Sequence, residues 1–380
     1  MTILLIILGI FLLIGVVVLH ELGHFFAAKR SGVEVEEFGI GFPPRAKVIG
    51  KKNGTVYTLN WLPLGGFVKL KGEHDSDTSP GAYGGASLKN KIKIMLAGVV
   101  INALTAVVLF SLIALAGLPK VFDNQFSVAS DNTISTQEVI AGLVSEDSPA
   151  ANAGVERGDV ITYVGPTCVE VCSDNVAVAT DLGDATRSNA GQQVEIRVDR
   201  NGEAKTLTAS LRTADEVKSS QNDEVPKGYL GVVPVEYVEQ RATWSAPIVG
   251  AVFAGQVSVE TFKVFGTIIG DLFQGDTSTA QENVTGVVGI GDALGQLSEQ
   301  GFKSVMLLVA LISLSLAIMN TLPIPALDGG RLFVTILYRV ILRRPLTQET
   351  EERIHGSGFM LLMLLFVLIT IVDVQRIIQN

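Results

Sequence analysis

The sequence predicts a polytopic α-helical membrane protein with about four transmembrane helices, a membrane-associated β-hairpin and one water-soluble α+β domain. Three observations lead there. Of 380 residues, 48% are hydrophobic and only 18% charged, a balance foreign to a soluble chain of this length. Residues 3–19 carry no charge, and comparably apolar stretches recur near 95–117, 304–327 and 358–372. Charge is also segregated: residues 1–118 hold 11 basic and 7 acidic side chains, residues 119–300 hold 11 and 26, and residues 301–380 hold 7 and 5. An acidic middle between two basic ends fits a large water-exposed segment strung between spans. Two cysteines exclude a disulfide-built scaffold, and the absence of a basic, aromatic-rich patch argues against a nucleic-acid partner.

The first span, about 2–28, has no basic segment before Ile3. His20, Glu21 and His24 stand where a signal-peptide cleavage site would be, so it reads as a retained helix. Lys29, Arg30, Arg45, Lys47, Lys51 and Lys52 follow it, which places that loop in the cytoplasm and the N-terminus outside. Span two, about 92–118, leads outward to the acidic segment. Span three, about 303–327, returns, and the loop after it carries Arg331, Arg339, Arg343, Arg344 and Arg353, again cytoplasmic by the same rule. Span four, about 356–375, leads out once more.

His20-Glu21-Leu22-Gly23-His24 lies in the cytoplasmic half of span one. Histidines at i and i+4 stack on one helix face, so two imidazole nitrogens are placed to bind one zinc ion. Glu21 is rotated to the neighbouring face, where it takes a proton from an attacking water without being a ligand. Ionisable groups inside a span cost about 2.5–3.5 kcal/mol each on insertion scales, so three of them mark a functional site. A catalytic zinc needs a third protein ligand and an open fourth position. Asp328 is the candidate, because Asn320-Thr321-Leu322-Pro323-Ile324-Pro325-Ala326-Leu327-Asp328-Gly329-Gly330 interrupts an apolar helix with two prolines and two glycines. Such a break is tolerated at membrane depth only against protein or a water-filled cavity. His74, in Glu73-His74-Asp75-Ser76-Asp77, reads as part of a solvated turn, and His355, beside Gly356 and Gly358, as a capping or interfacial residue at the start of span four.

These residues resemble the site-2 protease family of intramembrane zinc metalloproteases, in particular the bacterial regulator-of-sigma-E type. Besides the histidine motif, Phe38-Gly39-Ile40-Gly41-Phe42-Pro43-Pro44 resembles the family's Gly-x-Gly-Phe-Pro segment, and Leu62–Lys69 resembles the segment that follows. Asn320, Pro323, Asp328 and Gly329 match Asn-x-x-Pro-x-x-x-x-Asp-Gly. Two departures remove prolines: Gly98-Val99 stands where the family usually has Gly-Pro, with Asn102 kept, and Thr285-Gly286-Val287-Val288-Gly289-Ile290 has valine for proline. The resemblance implies zinc as cofactor, the inner (plasma) membrane as location with the metal toward the cytoplasm, and single-span membrane proteins as substrates, such as anti-sigma factors or remnant signal peptides. Asn320 and Asn102 are both candidates to stabilise the oxyanion, and an interhelical hydrogen bond is the alternative role for each.

Cleaving a transmembrane helix requires it to unwind, and something must pair the freed backbone. Residues 45–72 read as β-rich: Ala46–Ile49 and Thr55–Leu59 flank the turn Lys52-Asn53-Gly54, with Gly65–Leu70 beyond. We expect this hairpin to dip toward the site and offer Gly65, Gly66, Phe67 and Val68 for strand addition.

Outside the membrane, Ala141–Val144, Ser148-Pro149-Ala150 and Ala153–Ile161 resemble a bacterial PDZ domain over about 125–237. Val194–Val198, the turn Arg200-Asn201-Gly202 and Thr206-Leu207-Thr208 add a hairpin. Gly228, Tyr229, Leu230 and Gly231 resemble its carboxylate-binding loop, placed late as in circularly permuted forms. Its role is either to bind a C-terminal peptide or to exclude untrimmed substrates. Cys168 and Cys172 are too far apart in extended chain for a bridge, at about 13 Å against a limit of about 7 Å, so free thiols are expected. Residues 241–300, with Ile248, Val252, Val257, Phe262, Val264 and Ile268, read as an amphipathic helical linker along the outer surface.

Two other functions compete. A silent membrane-anchored scaffold with a structural metal would need no base at Glu21 and would close the metal with four ligands. A zinc transporter would need ligands over several spans and inverted repeats, which the sequence lacks.

Overall fold

The computed structural model describes residues 1–167, 173–200, 202–222, 226–344 and 346–379, so Cys168 and Cys172 lie outside the described residues. In chain order the elements are α1 (Thr2–Arg30), β1 (Val35–Lys52), β2 (Thr55–Leu70), α2 (Leu88–Ala116), β3 (Leu118–Pro119), β4 (Thr133–Val144), α3 (Pro149–Ala153), β5 (Val160–Gly165) and α4 (Ala179–Ser188). There follow β6 (Gln193–Arg200), β7 (Glu203–Ser210), α5 (Ala214–Ser219), β8 (Val232–Arg241), α6 (Ala246–Gln274), α7 (Ser278–Asn283), α8 (Val287–Glu299), α9 (Phe302–Met319), α10 (Asp328–Ile336) and α11 (Gln348–Gln379). The chain divides into two compact units, Met1–Ile113 with Ala246–Asn380, and Ala114–Ser245.

In the first unit, α1, α2, α6, α9 and α11 are each long and apolar enough to cross a membrane, one more helix than the four spans expected. The addition is α6, the least apolar of them. Residues 246–274 form one continuous helix whose buried side is Val249, Phe253, Ala254 and Ile268, whereas Ile248 and Phe262 of the expected apolar stripe are exposed. Large apolar side chains also stand exposed along α1, α2 and α11, as on Phe11, Val108 and Phe366, which is how helices facing lipid tails are built. With these helices the chain is an integral membrane protein.

Packing fixes the helix directions. Leu5 of α1 clusters with Leu294 of α8 and Val305 of α9, and at the other end His20 and His24 meet Asp328 just beyond α9, so α1 and α9 run parallel. His24 bonds to Ile94 near the start of α2, so α2 runs antiparallel to them. In α11, Gly358 packs on Pro325 while Asp373 accepts hydrogen bonds from the Gly286 and Gly289 amides at 3.0 and 2.9 Å, so α11 also runs antiparallel. Asp373 thereby caps the amino end of α8, a helix start that has no local side-chain cap.

The hairpin is larger than the 45–72 expected. Glu37–Ile40, part of the Gly-x-Gly-Phe-Pro segment, forms a row paired on one side with Val56–Leu59 and on the other with Gly66–Lys69, and Lys47–Lys52 pairs beyond Thr55–Leu59. The row order is therefore 45–52, 55–60, 35–40, 66–70, with Gly66–Leu70 at an edge. Asn53 (φ 49°) and Gly54 (φ 83°) turn the chain as the Asn-Gly pair requires. The Glu73–Asp77 loop is anchored rather than solvated: Asp75 is buried, pairs with buried Lys91 of α2 and accepts from Arg339 Nε at 2.8 Å. Glu351 accepts the Asp75 amide at 2.9 Å. His74 lies 3.6 Å from Glu352.

The second unit is an antiparallel sheet in the order β3-β8-β4-β5-β6-β7. Its core joins Val139, Ile161, Val164, Leu182, Val194, Ile196 and Leu230. The hairpin expected around Arg200–Gly202 is β6 with β7, although Asn201 itself is outside the described residues. Arg200 holds Asp159 in a bidentate pair at 2.7 Å through Nε and Nη2. That pair keeps the Asp159 carboxyl below the usual carboxylate range, with the Glu156 amide adding a further bond.

Candidate metal centre

His20 and His24 fall on one face of α1 because they are four residues apart, and their Nε2 atoms lie 3.1 Å from each other. Asp328 opens α10, where the chain turns back after the break at Asn320–Leu327, and its Oδ2 lies 3.1 Å from both nitrogens. Three donor atoms thus form an equilateral triangle with nothing drawn from any other part of the chain. Ligands about 2.05 Å from a tetrahedral zinc lie about 3.3 Å apart, so the three donors fit that ion and leave its fourth position open. Among the described residues, His20, His24 and Asp328 form the one such cluster.

The surroundings hold the donors in register. His24 Nδ1 donates to the Ile94 carbonyl at 2.7 Å, which leaves Nε2 as the lone-pair nitrogen facing the other two donors. His20 Nδ1 is buried with no partner among the described residues. Both imidazoles are buried and Asp328 is partly buried, so attraction between them is little screened. The loop carrying Asp328 is closed by the Gly329 amide donating to the Asn320 carbonyl at 2.8 Å, and His355 Nδ1 accepts the Ala326 amide at 3.1 Å. His355 lies inside α11 rather than at its start and braces the Ala326 loop instead of capping its own helix, and neither it nor His74 joins the donors.

Glycine permits this convergence at two points that sequence reasoning missed. A Cβ at Gly98 of α2 would lie 2.6 Å from Nε2 of both His20 and His24, and one at Gly23 would lie 2.7 Å from the Ala97 carbonyl. The signal for Gly98 was present in the retained Gly of the Gly-Val pair, but only three-dimensional proximity gives it meaning.

Other expected site residues separate. Glu21 lies against the sheet edge: a Cβ on Gly66 would be 3.6 Å from its Cγ, and one on Gly65 would meet Val17. Phe67 instead packs toward Gly39 within the sheet. Asn102 is fully buried in α2 with neither amide atom paired, while its carbonyl accepts from Ser313 of α9 at 2.9 Å. Asn320 donates one side-chain N–H to the Leu316 carbonyl at 3.0 Å. Gly228–Gly231 belong to the second unit, where the carbonyls of Tyr229, Leu230 and Gly231 accept from the amides of Arg212, Ala150 and Ser145.

Comparison with known proteins agrees with this geometry. The family model described as peptidase family M50 matches residues 8–365. A protein of Clostridium acetobutylicum named as a zinc metalloprotease is 30% identical over 365 residues, covering 95% of this chain and 94% of its own. The zinc metalloprotease RasP of Oceanobacillus iheyensis is 28% identical over 434 residues, covering 96% and 98%, and that of Geobacillus kaustophilus 26% identical over 444 residues, covering 95% and 96%. With a donor triangle suited to zinc and a match that runs nearly end to end, the chain belongs to peptidase family M50, as a zinc metalloprotease of the site-2 type.

Proposed function

We propose that this enzyme cleaves transmembrane segments of single-span membrane proteins within the bilayer, with His20, His24 and Asp328 as the zinc ligands and Glu21 as general base. The convergence of the three donor atoms at 3.1 Å, from a membrane helix and the broken loop after another, carries the reading. When bound there, zinc polarises the scissile carbonyl and acidifies the attacking water. Glu21 takes the water's proton and delivers it to the leaving amine, which balances addition of water across the peptide bond. Asn102 is the better oxyanion donor of the two asparagines, since both N–H groups of its buried amide are unspent whereas one of Asn320's is bonded to Leu316. The unwound substrate pairs with the open edge at Gly66–Val68, which runs beside Glu21.

The topology follows from helix directions. Because α1 and α9 run parallel, the chain must be on the same side at the start of each. α6 begins where Phe253 meets Phe110 and Gly250 meets Ser111, toward the far end of α2, and α8 begins against Asp373, toward the far end of α11. These contacts support a segment between that starts and ends on one side, with α1, α2, α9 and α11 as the spans. Basic loops after α1 and α10 support, by the positive-inside rule, a metal toward the cytoplasm and a second unit outside. That unit acts as a PDZ domain: β8 is paired along its length with β4, but among the described residues with β3 only at Glu239 and Gln240, which leaves Val232–Glu236 with an open edge near α4 for a C-terminal peptide. Substrates of the anti-sigma-factor or remnant signal-peptide kind fit such an enzyme.

The test is Glu21→Gln in the purified full-length enzyme with a single-span substrate. Zinc is retained and cleavage falls by about 10²–10⁴-fold. Equal cleavage by both proteins removes Glu21 from the chemistry.

A further inference from the structure

Beside the metal-carrying turn, α1 and α2 leave a groove of about 630 Å³ lined by Gly23, Phe26, Ala97, Val100, Arg30 and Lys93, among others. It lies within the size range of single small-molecule sites, about 300–1,000 Å³. Its wall is apolar along Phe26, Leu96 and Val100, and its polar end is basic. Arg30 stands 5.9 Å from the Phe26 ring centroid, a cation–π contact that holds the guanidinium at the groove mouth. Asn90 bridges to the Ser31 carbonyl at 3.5 Å, closing the floor between the two helices. Arg30 and Lys93 are exposed and, among the described residues, form no ion pair with a carboxylate. No acidic side chain lines the groove. By contrast Lys91, two residues before Lys93 on α2, is buried and paired with Asp75, and Lys71 and Lys69 are paired with Glu34 and Glu36.

We propose that this groove binds one anionic phospholipid, its phosphate on Arg30 and Lys93 and an acyl chain along Phe26, Leu96 and Val100. Charge complementarity selects the occupant. Two unpaired cations at the water-facing end of an apolar membrane groove call for an amphiphile with one negative head and one apolar tail, and basic pockets between transmembrane helices take such headgroups. A guanidinium offers the planar donor fork that matches phosphate, and the ammonium adds a point charge. The bound lipid packs against the Gly23–Ala97 crossing, next to the turn that carries His20 and His24.

The test incorporates full-length wild type and the Arg30→Gln/Lys93→Gln variant into vesicles of equimolar phosphatidylcholine and phosphatidylglycerol, extracts them in mild detergent and counts retained lipid by native mass spectrometry. Wild type retains one phosphatidylglycerol per chain in preference to phosphatidylcholine. Each basic residue near a membrane surface contributes such that losing both lowers affinity roughly 30-fold. Arg30→Lys/Lys93→Arg restores retention, and Val100→Trp, which fills the apolar wall with both cations intact, abolishes it. Equal retention of phosphatidylglycerol by wild type and the double glutamine variant, equal retention of the two lipids by wild type, or unchanged retention in Val100→Trp overturns the proposal. So does a photo-crosslinker at Val100 that captures a transmembrane substrate instead of lipid.

Discussion

Replacing Gly98 by alanine adds one methyl group at the point where α2 meets the metal donors. The new Cβ would stand 2.6 Å from Nε2 of both His20 and His24, whereas ordinary contact begins at 3.4 Å. Either the imidazoles or α2 must therefore give by about 0.8 Å, several times the roughly 0.2 Å tolerance of a metal–ligand distance. His24 cannot swing freely, because its Nδ1 is tied to Ile94 on the same helix as Gly98. Perturbing groups merely behind the ligands costs about 10–100-fold in metal affinity, so direct displacement of two donors should cost at least about 100-fold. Overpacking adds about 1–3 kcal/mol of destabilisation. Zinc affinity is measured by chelator competition on the full-length protein in detergent, alongside cleavage of a single-span substrate. Gly15→Ala, at a position where an added Cβ meets nothing within 4 Å, is the control. Zinc affinity and cleavage in Gly98→Ala within about threefold of the control would refute the reasoning.

Further outcomes follow from the same geometry. Asn102→Ala should lower the cleavage rate by about 10²–10³-fold with zinc content unchanged, whereas Asn320→Ala, whose amide already serves Leu316, should change it by less than about tenfold; single-turnover kinetics separate the two. His355→Ala removes the acceptor for the Ala326 amide and should weaken zinc binding about tenfold by loosening the Asp328 loop, read by the same chelator competition. Asp159 is held below its ordinary value by Arg200, so its contribution to stability is full above about pH 4, the unfolded value, and is lost as pH falls through the lower folded value. Thermal unfolding of the second unit should accordingly lose that acid-range dependence in Arg200→Ala.

Much of the site was legible because its two strongest signals are local. Helical period alone puts His20 and His24 on one face, and two prolines with two glycines announce that the chain before Asp328 cannot remain a simple span. The anionic third donor of the cluster then follows from its place at that break. What sequence could not supply are partnerships between distant segments. Asp75 reads as a loop carboxylate until Arg339, 264 residues on, is found on it. Asp373 reads as an aspartate at the end of a span until Gly286 and Gly289 place the start of α8 beneath it. The row at Glu37–Ile40 was missed for a different reason: Gly39 and Gly41 between Phe38, Ile40 and Phe42 lower its own strand propensity, and it is held by neighbours on both sides. α6 has apolar residues spread around the helix, so its period does not say which side is buried, and only contacts with Phe110 and Ser111 decide it.

Zinc K-edge absorption on the purified full-length enzyme, with metal content measured on the same sample, probes the donor triangle most directly. One zinc per chain is expected, bound by two imidazole nitrogens and carboxylate or water oxygens at about 2.0–2.2 Å, with no sulfur. A spectrum with fewer than two imidazoles, or one unchanged in His24→Ala or Asp328→Ala, would contradict it.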